Sequence, residues 1–494
     1  MSQSLSPTAR ESETVAGVYP RIAMYIDGRW TDGSGSRREP IVNPATEEVL
    51  GYVPLAEKSD LDAALAAAER GFVVWRDMPL DKRAHILHRA ATLLRERSGE
   101  IARIMTIEQG KALAESRGEL AGVATTLDWN CEEGLRAHGR IIPRGPGETL
   151  SVVREPVGPV AAFTPWNFPA GSPMRKIAAS LSAGCSIVIK ASEETPATAC
   201  ELVRCFEDAG LPGSVLNLVF GVPAEVSEHL IPSPIVRLVA FTGSVPVGKS
   251  LAAMAGAAMK PSMMELGGHA PVIVCADVDA VAAAKSSARA KFANAGQVCT
   301  SPSRFFVHES LYETFVGAFV AAAEQITVGD GLTAGVQMGP LVNERRLASV
   351  QNLVEDARRR GANVLTGGHR LSGPGFFYTP TVLTDVPMDA AVMIEEPFGP
   401  IAPILPYSDL DDALHLANSL PFGLAAYAFT HRADTADVLT RGLQAGILSI
   451  NHASGSVPQA PSGGFKESGF GREGGSEGLD GYLVTKRISH RMAI

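Results

Sequence analysis

From residue 156 onward, short β-branched and apolar runs alternate with stretches whose apolar positions recur every three to four residues. The run SIVIK (186–190) reads as a buried strand. Thr195 is placed to cap the helix that follows, with Pro196 at its first position, and Gly210 closes it ahead of Pro212. SVLNLVF is the next strand, and VRLVAFTGS is another that runs directly into an Ala-rich helical stretch at 247–259. A second alternating series starts at PVIVC (271–275), passes through a helical stretch at 279–292 and extends to about residue 450. Strand–helix alternation of this kind builds parallel sheets covered by helices. The pattern therefore predicts two doubly wound α/β domains in tandem.

Upstream, residues 22–55 are short-period, β-rich and turn-rich. Ser59 can cap a helix whose apolar face includes Leu61, Leu65, Ala68 and Phe72, and 80–97 repeats that period. Residues 136–156 alternate loosely among many Gly and Pro, as strands or an extended arm would. Beyond Pro461 the stretch SGGFKESGFGREGG is too rich in glycine to be anything but mostly loop.

Composition narrows the class. Of 494 residues, 45% are hydrophobic and 20% charged, an ordinary globular balance that excludes fibrous and disordered chains. The net charge is −9 with no Lys/Arg block, which argues against nucleic-acid or anionic-membrane partners. No apolar run reaches the ~18 residues of a membrane helix. Residues 1–20 are polar and mixed in charge, reading as a disordered tail without the apolar core of a signal peptide. Six scattered cysteines form no CxxC pair and no metal-ligand spacing, so neither a disulfide framework nor a metal site is expected. A reducing cytoplasm is the expected location.

Several short segments could carry chemistry. Cys299, in NAGQVCTSPSR, has small and polar neighbours that would leave a thiol accessible, with backbone N–H groups to favour a thiolate. Taken alone, such a cysteine is more often a small buried hydrophobe. Glu265, in MMELGGHAP, stands at a strand end, where the two glycines after it would let a substrate approach a general base. A solvated acid would look the same. In TPWNFP (164–169) two prolines bracket Asn167 and aim its amide, as an oxyanion donor requires. FTGSVPVG (241–248) joins strand to helix through Gly243 and Gly248, a turn able to hold phosphate. KASE (190–193) ends the neighbouring strand, where α/β sheets bind ligands.

In order, TPWNFP, KxSE, FTGSxxxG, ELGG, GQxC, EEPFGP and SGGFKxSGxGRE closely resemble the NAD(P)-dependent aldehyde dehydrogenase superfamily, over nearly the whole chain from about residue 24. The resemblance implies an aldehyde dehydrogenase-like α/β fold: an NAD-binding domain (21–136 and 156–264), a catalytic domain (265–460) and a β-strand oligomerisation arm (137–155 and 478–494). It implies Cys299 as nucleophile, Glu265 as base, Asn167 as oxyanion donor, and Lys176 and Glu473 in proton relay. For the cofactor it implies Lys190, Ser192 and Glu193 near the adenosine ribose and Gly243, Ser244 and Gly248 at the pyrophosphate. Glu396 and Phe398 fall at the nicotinamide ribose, and Thr164, Pro165, Trp166, Gly221 and Leu266 along the same cleft. Glu193 favours NAD over NADP, because a carboxylate accepts a ribose hydroxyl but repels a 2′-phosphate. Glu265 favours hydrolysis over transfer to CoA, since CoA-acylating relatives generally lack this acid.

The resemblance implies a small-molecule aldehyde as substrate. Arg175 lies where semialdehyde-acid members place an arginine that grips a distal carboxylate, and its fork suits a carboxylate or sulfonate. A structural pairing with acids is the competing reading. Succinic semialdehyde dehydrogenases usually carry a second arginine six residues before the cysteine, and here that position is Ala293. The other pocket candidates, Thr300, Ser301, His452 and Ser456, are small or polar. The expectation is a succinic-semialdehyde-like enzyme, with a broad or aromatic-aldehyde dehydrogenase as the alternative. A non-catalytic binding protein on the same fold is the rival from another class. The resemblance also implies a homodimer or homotetramer.

Overall fold

The computed structural model describes residues 19–453 and 457–492. Its first sheet has eight strands, five of them parallel: Leu216–Val219, Ile187–Lys190, Val160–Phe163, Leu238–Gly243 and Ser262–Leu266, in that spatial order. Numbered along the chain this is 3-2-1-4-5, so the direction of winding reverses between Val160–Phe163 and Leu238–Gly243. The crevice beyond the carboxyl ends of those two strands is where open α/β sheets take ligands. An N-terminal hairpin, Met24–Ile26 with Arg29–Thr31, extends the sheet at one edge, and Gly469–Phe470 closes the other.

The second sheet has seven strands. Six are parallel, running from Thr381–Thr384 through Ile401–Tyr407, Pro302–His308, Ala270–Val274 and Ala425–Phe429 to Ile447–Ile450. Asn363–Thr366 adds an antiparallel edge. Each sheet has its own apolar core. Ser262–Leu266 of the first sheet and Ala270–Val274 of the second are separated only by Gly267, Gly268 and His269, so ELGGH crosses from one sheet to the other. A third, antiparallel sheet pairs Arg140–Ile142, Glu148–Pro156 and Leu483–Arg491, and is largely exposed.

The strands expected from apolar runs are present, but several helix readings change. The helix at 58–76 is capped by Glu57 in a capping box with Asp60, while the Ser59 hydroxyl pairs with Ser34. The helix expected over 80–97 runs on to Gln109, because Ile101, Ile104 and Met105 resume the buried face after a polar turn. Leu113–Leu135 is a further helix for which the pattern reading offered no element. Thr195 makes no side-chain cap bond, and the buried carboxylate of Glu108 accepts from the N–H groups of Ala197 and Thr198 instead. Tyr19, assigned to the tail, is buried with its hydroxyl on Glu108, whereas residues 1–18 lie outside the described residues. No helix among the described residues is long and apolar enough to cross a membrane.

Candidate active site

Two cavities sit at the crevice, and they share Pro165, Trp166, Thr242, Gly243, Asn343 and Arg345 as common wall. The larger, about 1100 Å3, follows the ends of the first sheet's strands and is lined by Thr164, Lys190, Ser192 and Glu193. The smaller, about 530 Å3, holds Cys299, Glu265, Asn167, Glu396 and Phe398. Residues from both sheets thus meet in one site, with ELGGH as the hinge between them.

In the larger cavity Glu193 is fixed from two sides. Lys190 Nζ donates to its Oε2 at 2.6 Å and the Gly221 N–H to its Oε1 at 3.1 Å. Gly221 therefore holds the carboxylate and does not line the wall. Ser192 spends its hydroxyl on Glu194. Gly248 does not line either cavity: a Cβ there would stand 2.3 Å from the Leu266 side chain, so its bareness lets helix pack on strand. Gly243 and Ser244 do face the cleft, at the start of the helix Val245–Ala257, and Leu266 lines the smaller cavity. Thr164 presents a buried hydroxyl with no hydrogen-bond partner among the described residues. An orphaned hydroxyl, a held carboxylate and a helix N-terminus fit a dinucleotide.

Around Cys299 the electrostatics are unlike the sequence expectation. Burial, then the Glu265 and Glu396 carboxylates, push its thiol up to about 12, so the resting group is a neutral thiol and not a thiolate. Burial and the Glu473 charge push Glu265 up to about 7, and its Oε1 is buried without a hydrogen-bond partner among the described residues. It is an acceptor left open. Burial works to raise Glu473 as well, but Lys176 and Arg175 outweigh it and hold that carboxyl low. Lys176 is buried in an ion pair with Glu473 and also donates to Thr242 Oγ1 at 2.6 Å. Glu473, Lys176 and Thr242 so form a polar chain that ends at the shared wall, and Glu265 feels the charge of its first two members.

The Asn167 amide donates one hydrogen to the Gln297 carbonyl at 3.0 Å. That bond ties it to the nucleophile's loop and leaves its second N–H hydrogen for the cavity it lines. The loop is strained: Asn294 and Ala295 have φ of 48° and 54°, and a buried network holds them there. The glycines after Glu265 serve a different neighbour from the one expected. A Cβ on Gly267 would stand 2.3 Å from Glu396 Oε2, so its absence admits that carboxylate, which also accepts the Gly268 N–H at 3.1 Å. Burial raises Glu396 to about 7. Phe398 meets Trp166 edge-on at 5.5 Å, closing the wall between the cavities.

A model of the aldehyde dehydrogenase family matches residues 30–488. The chain belongs to the aldehyde dehydrogenase family. Among relatives of this aldehyde dehydrogenase, the 4-(hydroxymethyl)benzenesulfonate dehydrogenase of Comamonas testosteroni is 46% identical over 95% of this chain and 98% of its own length. The NADP-dependent succinate-semialdehyde dehydrogenase of Escherichia coli is 39% identical over 94% of this chain and 97% of its own. A succinate-semialdehyde dehydrogenase structure from Burkholderia pseudomallei superposes with a TM-score of 0.94, at 39% identity, covering 96% of this chain and 98% of that one. The protein is thus an oxidoreductase.

The substrate candidates of this aldehyde dehydrogenase divide. Arg175 lines neither cavity; it stands 3.5 Å from Glu473 with a third of its side chain exposed, and its charge acts on both Cys299 and Glu265. Ser301 is turned away from the cavity: its buried hydroxyl accepts from Lys291 Nζ at 3.3 Å. Thr300 does not line the smaller cavity, and its carbonyl accepts from the Tyr427 hydroxyl. His452 is exposed, and Ser456 lies outside the described residues. Sequence reasoning missed Asn343, Arg345 and Arg346, which reach the cavities from the start of the helix Glu344–Arg359. They belong to no nucleotide-binding pattern and sit far along the chain, so only the approach of the second sheet brings them in.

Proposed function

We propose that this enzyme oxidises an aldehyde bearing a distal anion, such as succinic semialdehyde or a sulfonated counterpart, to the free carboxylate, with NAD as hydride acceptor. The observation that carries the reading is Arg175, the cation whose field reaches both the nucleophile and the base. The names of the relatives, a benzenesulfonate and a semialdehyde dehydrogenase, point to anionic substrates of two shapes. Ala293 stands where succinic semialdehyde dehydrogenases usually carry a second arginine, so no second arginine joins Arg175 from that position.

Glu265 takes the Cys299 proton as the sulfur adds to the aldehyde carbon, because a thiol near 12 does not ionise unaided. Asn167 Nδ2 and the Cys299 N–H receive the resulting oxyanion. When bound, the dinucleotide supplies the hydride acceptor. Thr164, Lys190, Glu193 and the Gly243–Ser244 turn would hold its adenosine and pyrophosphate, and Glu396 and Phe398 its nicotinamide end. The acyl group then stays on Cys299 as a thioester. Glu265, its affinity for protons set by Glu473 and Lys176, loses the first proton to solvent and takes another from water; the resulting hydroxide adds to the thioester, and Cys299 leaves as its thiol with that proton as the acid is released. Glu193, with Lys190 already engaged on it, favours NAD over NADP.

The test is NADH formation on succinic semialdehyde, a neutral aliphatic aldehyde, benzaldehyde and 4-sulfobenzaldehyde, with Arg175→Ala alongside. The anionic aldehydes are expected to lead in kcat/KM, and the variant to lose about tenfold or more on them alone. A neutral aldehyde that leads, with the variant indifferent, makes Arg175 a structural partner of Glu473 and the enzyme a broader aldehyde dehydrogenase.

A further inference from the structure

Lys111 and Glu119 lie on the connection into and the first turns of the helix Leu113–Leu135 and line neither cavity. Both are buried, and they are paired at 2.6 Å. The Lys111 ammonium also donates to the Asn167 carbonyl at 2.8 Å and stands 4.5 Å from the centre of the Phe168 ring. Glu119 turns its other oxygen toward the N–H groups of Ala170 and Gly171, at 2.9 and 2.8 Å. The pair thus grips the turn 167–171 at both ends. Asn294 Nδ2 supplies the second bond to the Asn167 carbonyl at 3.0 Å. Asn294 is in turn held by Gln109 and Glu115, so the segment 109–119 fixes the amide's turn and the nucleophile's strained loop together.

A buried ion pair costs desolvation that apolar side chains of the same size would avoid. Here the ammonium and the carboxylate meet that cost with four further contacts, all on the turn 167–171. Its stiffness matters because an oxyanion donor displaced by about 1 Å forfeits much of its effect. We propose that Lys111 and Glu119 are positioning residues that set the Asn167 amide against the carbon–oxygen bond attacked by Cys299. The inference rests on Asn167 being the oxyanion donor.

A double-mutant cycle tests it, with Lys111→Met, Asn167→Ala and both together, and kcat, both KM values and thermal unfolding measured for each. Asn167→Ala is expected to lose on the order of 10²–10³ in kcat. Lys111→Met should lose about 10–100-fold in kcat, with the KM for NAD unmoved, and cost less than about threefold once Asn167 is already alanine. If Lys111→Met does not fold, the near-isosteric Glu119→Gln enters the same cycle, expected to lose several-fold and likewise only when Asn167 is present. Equal losses in both backgrounds, or a single variant with the wild-type kcat, overturn the positioning role. If Asn167→Ala itself loses nothing, the oxyanion assignment fails and the positioning role falls with it. If that variant is impaired and the Lys111 or Glu119 variant is not, the positioning role alone fails.

Discussion

Glu265 shows how a single side chain's surroundings set its chemistry. Buried, facing the Glu473 charge and with one oxygen unpartnered, it gains a proton affinity near neutrality. A carboxyl with a raised pKa serves as a base only above that value, so kcat/KM should climb as pH rises through about 7 and then level off. Initial rates from pH 5.5 to 9 check this, and a profile flat across the range contradicts it. Glu265→Gln should abolish the climb and lower turnover by on the order of 10²-fold or more. Glu193 carries the cofactor prediction. Its carboxylate occupies Lys190, so Glu193→Ser removes a repelling charge and frees a cation at once. The ratio of kcat/KM for NADP to that for NAD should rise about tenfold or more. An unchanged ratio places the choice of cofactor elsewhere in the cleft.

Elements in this fold are finished by other elements. The helix Pro196–Asp208 follows shortly after Lys190, Ser192 and Glu193 of the larger cavity, and its first N–H groups are satisfied by Glu108, the penultimate residue of the helix Leu80–Gln109. Tyr19 donates to the same carboxylate at 2.6 Å, tying the start of the described chain to both helices. Glu108→Ala leaves two helical N–H groups and the Tyr19 hydroxyl without their buried acceptor. It should destabilise the protein by about 1–3 kcal/mol, read as a lower midpoint in thermal or urea unfolding. A midpoint equal to the wild type would mean that water replaces the carboxylate at no cost.

At the scale of the whole molecule, the three-stranded sheet is the feature a lone chain leaves unexplained. Ile141 and Ile488 both stand opposite Ser151, in one row across the sheet. They are 74% and 41% exposed. Apolar side chains on an exposed sheet with open edges mark a surface that another chain covers. The homo-oligomer proposed from family resemblance would be built there. Ile141→Lys with Ile488→Lys should yield a smaller species in analytical ultracentrifugation, and an unchanged sedimentation coefficient places the interface elsewhere.

What the sequence by itself determined is local. Buried strands announce themselves as β-branched runs, so SIVIK, SVLNLVF, VRLVAFTGS and PVIVC are legible as strands of the two sheets. Cys299, Glu265, Asn167 and the cofactor motifs are legible as candidates only through their joint order along the chain, because each taken alone has an ordinary structural explanation. Tertiary structure decided whatever depends on who stands across the gap. The neutral state of the Cys299 thiol follows from burial, reinforced by two carboxylates brought in from distant segments. Gly248 proved to be a packing contact and Ser301 a partner of buried Lys291, for the same reason. Arg345, Arg346, Lys111 and Glu119 carry no motif at all. Their places are set by how the second sheet and the 109–119 connection close on the first, and burial, with the electrostatics it strengthens, exists only once they have closed.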